Sequence, residues 1–91
     1  MAIKIAMIGA GSIGFTRRLM GDILAVPEFA DTTFALTDIS ERNLDMVTQL
    51  CQRDIAANKL PATVHSTLDR RAAIADSDYV VSMIRQGGLD A

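Results

Sequence analysis

The chain of 91 residues, 49% hydrophobic and 22% charged, has the composition of one small globular domain. Nine Lys and Arg against eleven Asp and Glu give a net charge of -2 with no basic tract, which argues against nucleic acid as a main partner. No apolar run approaches the ~20 residues that cross a bilayer, so no membrane segment is expected. The single Cys51 cannot form an internal disulfide, and with no signal peptide ahead of it the chain reads as cytoplasmic.

Ile3 to Ile8 is apolar apart from Lys4 and lacks polar alternation, the pattern of a parallel strand covered on both faces and central in its sheet. Directly after it comes Gly9-Ala10-Gly11-Ser12-Ile13-Gly14. From Ser12 onward, Thr16, Leu19, Met20, Ile23 and Leu24 share one helical face. Strand, glycine turn and helix in that order open a dinucleotide-binding unit. In such a unit Gly9 permits the tight turn and Gly11 lets the backbone approach a pyrophosphate. Gly14 lets the helix lie close to the strand, and the amides at the helix start, from Ser12 and Ile13, take the phosphate charge. Arg17, Arg18 and Asp22 fall on the opposite, solvated face, with Arg18 and Asp22 one turn apart. Pro27 should end this helix near Val26.

After a polar turn from Pro27 to Asp31, Thr33 to Thr37 reads as a second strand ending at Asp38. Asp38 lies 24 residues beyond Gly14, near where a carboxylate accepts hydrogen bonds from an adenosine ribose and repels a 2′-phosphate. That favours NAD over NADP. The alternative is that Asp38 caps a turn ahead of the next helix. Ser40 offers that helix a cap, Glu41 suits its positive end, and Leu44, Val47, Cys51 and Ile55 form its apolar stripe. Cys51 is thereby a core residue.

Asn58 to Pro61 breaks the second helix. Ala62 to Ser66 is a short third strand carrying His65, which reads as a packed or edge residue. Leu68 to Ala75 forms a brief helix, and Tyr79 to Ile84 a fourth, apolar strand ending at Gly87-Gly88. Asp76 and Asp78 precede that strand with no His or Cys beside them, so no metal site is expected there. The fold class is α/β: residues 1–91 hold the first half of a Rossmann-like doubly wound parallel sheet. Its strand order is 3-2-1-4, with the ligand crevice between strands 1 and 4. Arg85 and Gln86 follow strand 4 and open on that crevice as substrate-binding candidates. Nothing in the chain can pair with the far edge of strand 4, so a homo-oligomer, or a longer protein, is expected.

Lys4-Ile5-Ala6-Met7-Ile8-Gly9-Ala10-Gly11-Ser12, Phe15, Leu36-Thr37-Asp38-Ile39-Ser40 and Asp78-Tyr79-Val80-Val81 with Ile84-Arg85-Gln86-Gly87-Gly88-Leu89 resemble the amino-terminal part of glycoside hydrolase family 4. The α-galactosidase and α-glucosidase types are nearest in character. The glycine turn and the acidic residue are shared with lactate and malate dehydrogenases, which leaves an NAD-binding half-domain of a dehydrogenase as an alternative. A non-catalytic nucleotide-binding module is a third.

The resemblance implies NAD and a divalent metal, usually manganese, acting on a small-molecule glycoside. Cleavage would proceed by oxidation at C3, deprotonation at C2 and elimination, outside the usual two-carboxylate scheme. It also implies a metal held by a Cys and a His in later segments; Cys51 and His65 do not match those positions. Gly9, Gly11, Gly14 and Asp38 do match the nucleotide motif. No catalytic residue lies within the chain, and the 91 residues alone are expected to be inactive.

Overall fold

The computed structural model describes residues 3–82. Four parallel strands, β1 (Lys4–Ile8), β2 (Thr33–Thr37), β3 (Thr63–Ser66) and β4 (Tyr79–Ser82), form one sheet in the order β3-β2-β1-β4. Helices α1 (Ile13–Leu24), α2 (Glu41–Ala57) and α3 (Arg70–Ile74) make the crossovers, and a single 3-10 turn, Pro27–Phe29, follows α1. The order of strands is the one read from the sequence. α1 and α2 pack on each other, while α3 contacts β1 and β2. Right-handed crossovers put α3 on the opposite face, because the chain reverses direction across the sheet between β3 and β4.

Strand alternation divides the core unequally between the two faces. Ile5, Phe34 and Val64 stand in register across β1, β2 and β3, and with Met7 and Leu36 they meet Met20, Leu44, Val47, Cys51 and Ile55 of α1 and α2. The intervening row holds Ala6 and Ala35, both wholly buried, on the face that takes α3 and its buried Ala73. Small side chains there let a five-residue helix lie against the sheet. β1 is thus covered on both sides, which is why its sequence is apolar without alternation.

Several element ends differ from expectation: β1 starts at Lys4 rather than Ile3, and α3 ends at Ile74 rather than Ala75. α1 stops at Leu24, two residues before Val26, and the chain turns through Val26, the residue before Pro27, in an extended conformation. α3 begins at Arg70 because the Asp69 carboxylate accepts from the amides of Arg71 and Ala72, a cap the apolar pattern did not reveal. β3 begins at Thr63 rather than Ala62. By contrast, Ser40 caps α2 as read, its hydroxyl accepting from the Asn43 amide at 3.3 Å. No helix among the described residues is long and apolar enough to cross a membrane.

Candidate functional site: the glycine turn and the tip of β2

The turn that leaves β1 needs a left-handed residue at its first position, and Gly9 supplies it with φ 82°. Its amide and that of Ala10 both donate to the Thr37 carbonyl, at 2.9 and 3.0 Å. The Gly11 amide donates to Asp38 Oδ2 at 2.7 Å. Asp38 Oδ1 accepts in turn from the Ser40 amide at 2.9 Å. The end of β2 therefore grips the glycine turn with one carbonyl and one carboxylate, and the same carboxylate shapes the entry to α2. Of the two roles weighed for Asp38, turn capping is seen directly. Each carboxylate oxygen keeps a further lone pair for a hydroxyl donor.

Space around the glycines separates their roles. A Cβ on Gly11 would stand 2.7 Å from Asp38 Oδ2, 2.9 Å from Asp38 Cγ and 3.0 Å from Asn43 Cβ. A Cβ on Gly14 would meet nothing within 4 Å, so close packing of helix on strand is not what Gly14 provides. That expectation fails because Gly14 is solvent-exposed in the first turn of α1, while Thr16 and Met20 are the buried residues of this helix. The Thr16 hydroxyl donates to the Ala10 carbonyl at 2.8 Å, fastening α1 to the turn.

No side chain caps α1, unlike α2 and α3. Its first bonded amide is that of Thr16, donating to the Ser12 carbonyl, so the amides of Ile13, Gly14 and Phe15 are the unpaired donors that every helix presents at its start. Together with Ser12 they line the carboxyl ends of β1 and β2, with no acidic side chain in the first turn of α1. The partial positive charge of a helix start at this place suits an anion.

The other singled-out residues lie elsewhere. Arg17 makes a two-pronged ion pair with Asp54 of α2, both contacts at 2.9 Å, rather than reaching the turn. The Asp54 carboxylate raises the guanidinium pKa. Behind that pair a cavity of about 370 Å³ lies between α1 and α2, floored by Met20, Leu24, Cys51 and Ile55. Burial pushes the Cys51 thiol up to about 11, helped by Asp54 and opposed by Arg17. His65 is an exposed residue of the edge strand β3. Asp78 receives the Lys4 amide at 2.8 Å and ties β4 to β1, so it serves the sheet. Among the described residues no group of three or more His, Cys, Asp and Glu side chains could hold a metal. Arg85 and Gln86 lie outside the described residues.

Three contributors went unseen in the sequence. The Thr37 carbonyl is a backbone group, and no residue type announces it. Asn43 backs Gly11 because it is the third residue after the Ser40 cap, a spacing that α2's register supplies. Ile39, next to Asp38, is 96% exposed, which an apolar letter following a strand does not suggest.

Similarity to known proteins agrees with this geometry. Residues 4–91 match the profile of the Family 4 glycosyl hydrolases. An α-galactosidase of Rhizobium meliloti (strain 1021) is 53% identical over 90 residues, covering 99% of this chain and 18% of that protein. A 6-phospho-β-glucosidase of Thermotoga maritima, solved with manganese, NAD+ and glucose-6-phosphate, superposes with a TM-score of 0.79 at 26% identity. That likeness covers 94% of this chain and 20% of the enzyme. Malate dehydrogenase of Cryptosporidium parvum superposes with a TM-score of 0.69 at 26% identity, over 92% of this chain and 25% of its own. The sequence spans about a fifth of the length of these two glycosidases. With a family profile matched almost from end to end, the chain belongs to family 4 of the glycosyl hydrolases.

Proposed function

We propose that this chain is the NAD-binding part of a family 4 α-glycosidase, of the α-galactosidase type. The observation that carries the reading is the Asp38 carboxylate at the tip of β2, held beside an uncapped helix start by its bond to Gly11. The 53% identity to an α-galactosidase supports the substrate class, and the NAD+ and manganese named for the Thermotoga enzyme support the cofactors. When bound, NAD supplies reversible hydride removal at C3 of the sugar, which acidifies the C2 proton and permits elimination.

The chain's own residues bind and orient. Amides of Ile13 and Gly14 donate to pyrophosphate oxygens, as at other helix starts. Asp38 accepts from the adenosine ribose hydroxyls, and its charge rejects a 2′-phosphate. Arg85 and Gln86, directly after β4, are proposed to meet the sugar or the cofactor. Among the described residues no cluster of three or more His, Cys, Asp and Glu would hold manganese, and its ligands are proposed to come from other segments. We place the protein in the cytoplasm as a homo-oligomer acting on a small glycoside, with the 91-residue chain itself binding without turnover.

Calorimetric titration of the chain with NAD+ and NADP+ tests this. Tighter binding of NAD+ is expected, with Asp38→Ala weakening NAD+ by about tenfold or more through loss of charge-assisted hydrogen bonds. Binding of neither dinucleotide would sink the reading, and equal NAD+ binding by variant and parent would remove Asp38 from the ribose. Hydrolysis of a nitrophenyl α-galactoside by the 91 residues, with NAD+ and manganese present, would refute the inactive part of the proposal.

A further inference from the structure

We infer that Asp38 is also a positioning residue: it sets the glycine turn in its anion-holding shape, and Gly11 must be glycine because of Asp38 as well as any ligand. The inference rests on the dinucleotide reading only for what the turn holds. Of the three amides fastened to the tip of β2, those of Gly9 and Ala10 use the Thr37 carbonyl, which any residue at that position would present. The Gly11 amide depends on a side chain. Its bond to Asp38 Oδ2, at 2.7 Å, is the shortest of the three and the one with a charged acceptor.

The second oxygen is not idle. Oδ1 takes the Ser40 amide at 2.9 Å, so two backbone donors from two different loops fix the carboxylate at both ends. That arrangement leaves no room for a Cβ on Gly11, which would fall 2.7 Å from Oδ2, whereas Gly14, three residues on, has open space. The demand for glycine at position 11 thus arises inside the protein, before any phosphate arrives. The two N–H donors meet different oxygens of the side chain, and at this length only a carboxylate presents an acceptor at both positions. An asparagine at position 38 would turn an NH2 group toward one of the two amides and lose that bond.

This differs in a measurable way from a carboxylate that only reads the ribose. Inorganic pyrophosphate has no ribose, and removing a negative charge near it favours its binding on electrostatic grounds. If Asp38 shapes the turn, Asp38→Asn weakens pyrophosphate instead. We expect the Gly11 amide of the ligand-free parent chain to exchange with solvent at least about tenfold more slowly than those of Ile13 and Gly14. We expect Asp38→Asn to lose that protection at Gly11 or at Ser40 and to bind both pyrophosphate and NAD+ more weakly.

Equal exchange rates at Gly11 and Ile13 in the parent, or pyrophosphate held as tightly by the variant, would overturn the inference. Should Asp38→Asn fail to fold, the parent exchange rates still decide it, and so does Gly11→Ala measured in the parent and in Asp38→Ala. The melting temperature should drop further in the parent background, and equal drops would count against the inference. A parent that binds neither pyrophosphate nor NAD+ would defeat the dinucleotide reading and leave the amide exchange to judge Asp38.

Discussion

Cys51 sits on the inner side of α2 with 1% of its surface exposed, and burial raises its thiol from the ordinary 9.0 to about 11. The folded state therefore prefers the protonated thiol more strongly than the unfolded state does. That preference contributes stability that is full below the unfolded value and is lost as pH rises from about 9 through the folded value. The two-unit gap corresponds to at most about 3 kcal/mol. Urea melts of the parent and of Cys51→Ala across that range should show their stability difference shrinking as pH rises. A difference constant with pH would mean the thiol titrates as in an unfolded chain. The same thiol should resist alkylation at neutral pH, since the reactive species is the thiolate.

At the scale of elements, α1 carries two glycines that its packing does not require. Gly21 lies in the helix interior with nothing within 4 Å of where its Cβ would be, and it borders the cavity between α1 and α2. Replacing it by alanine should add about 0.5–1 kcal/mol of stability, because alanine loses less backbone freedom in a helix. Chemical denaturation reads this directly, and a loss of stability would show that the space at Gly21 is already used. Gly14→Ala should likewise be tolerated, in contrast to Gly11→Ala.

That contrast marks where the sequence stops being legible. The strand, turn, helix succession and the strand order follow from apolar periodicity and the handedness of crossovers, both of which are written in residue types. Which glycine is indispensable is not. It depends on how far the Asp38 side chain reaches back across the sheet, a contact between residues 27 apart in sequence. The Arg17 to Asp54 pair escaped for the same reason: Arg18 and Asp22 are one turn apart on a single helix, whereas the observed pair joins two helices 37 residues apart. The turn-capping role of Asp38 was legible because the amide it accepts from, that of Ser40, is only two residues on.

The two edges of the sheet determine how the whole molecule behaves in solution. On β3 the exposed residues are Thr63 and His65, both polar, and Val64 is buried. On β4 the exposed residues are the apolar Tyr79, at 62%, and Val80, at 49%, together with Ser82. Val80 pairs with Ala6 and Tyr79 with Ile5, so their side chains emerge on opposite faces and β4 offers apolar surface on both. Its outer backbone donors and acceptors have no strand beside them among the described residues. An apolar strand with an open edge is a template for pairing, and a second copy of the same strand is the partner always present. The 91-residue chain should therefore self-associate through β4, its sedimentation-average mass rising with concentration. Val80→Lys places a charge on that edge and should hold the chain as a monomer, while Thr63→Lys on the opposite edge should leave the association unchanged. A parent that stays monomeric at the highest concentration tested would show that the β4 edge is protected by residues outside 3–82. Equal suppression by the two lysine variants would point to net charge rather than to the strand.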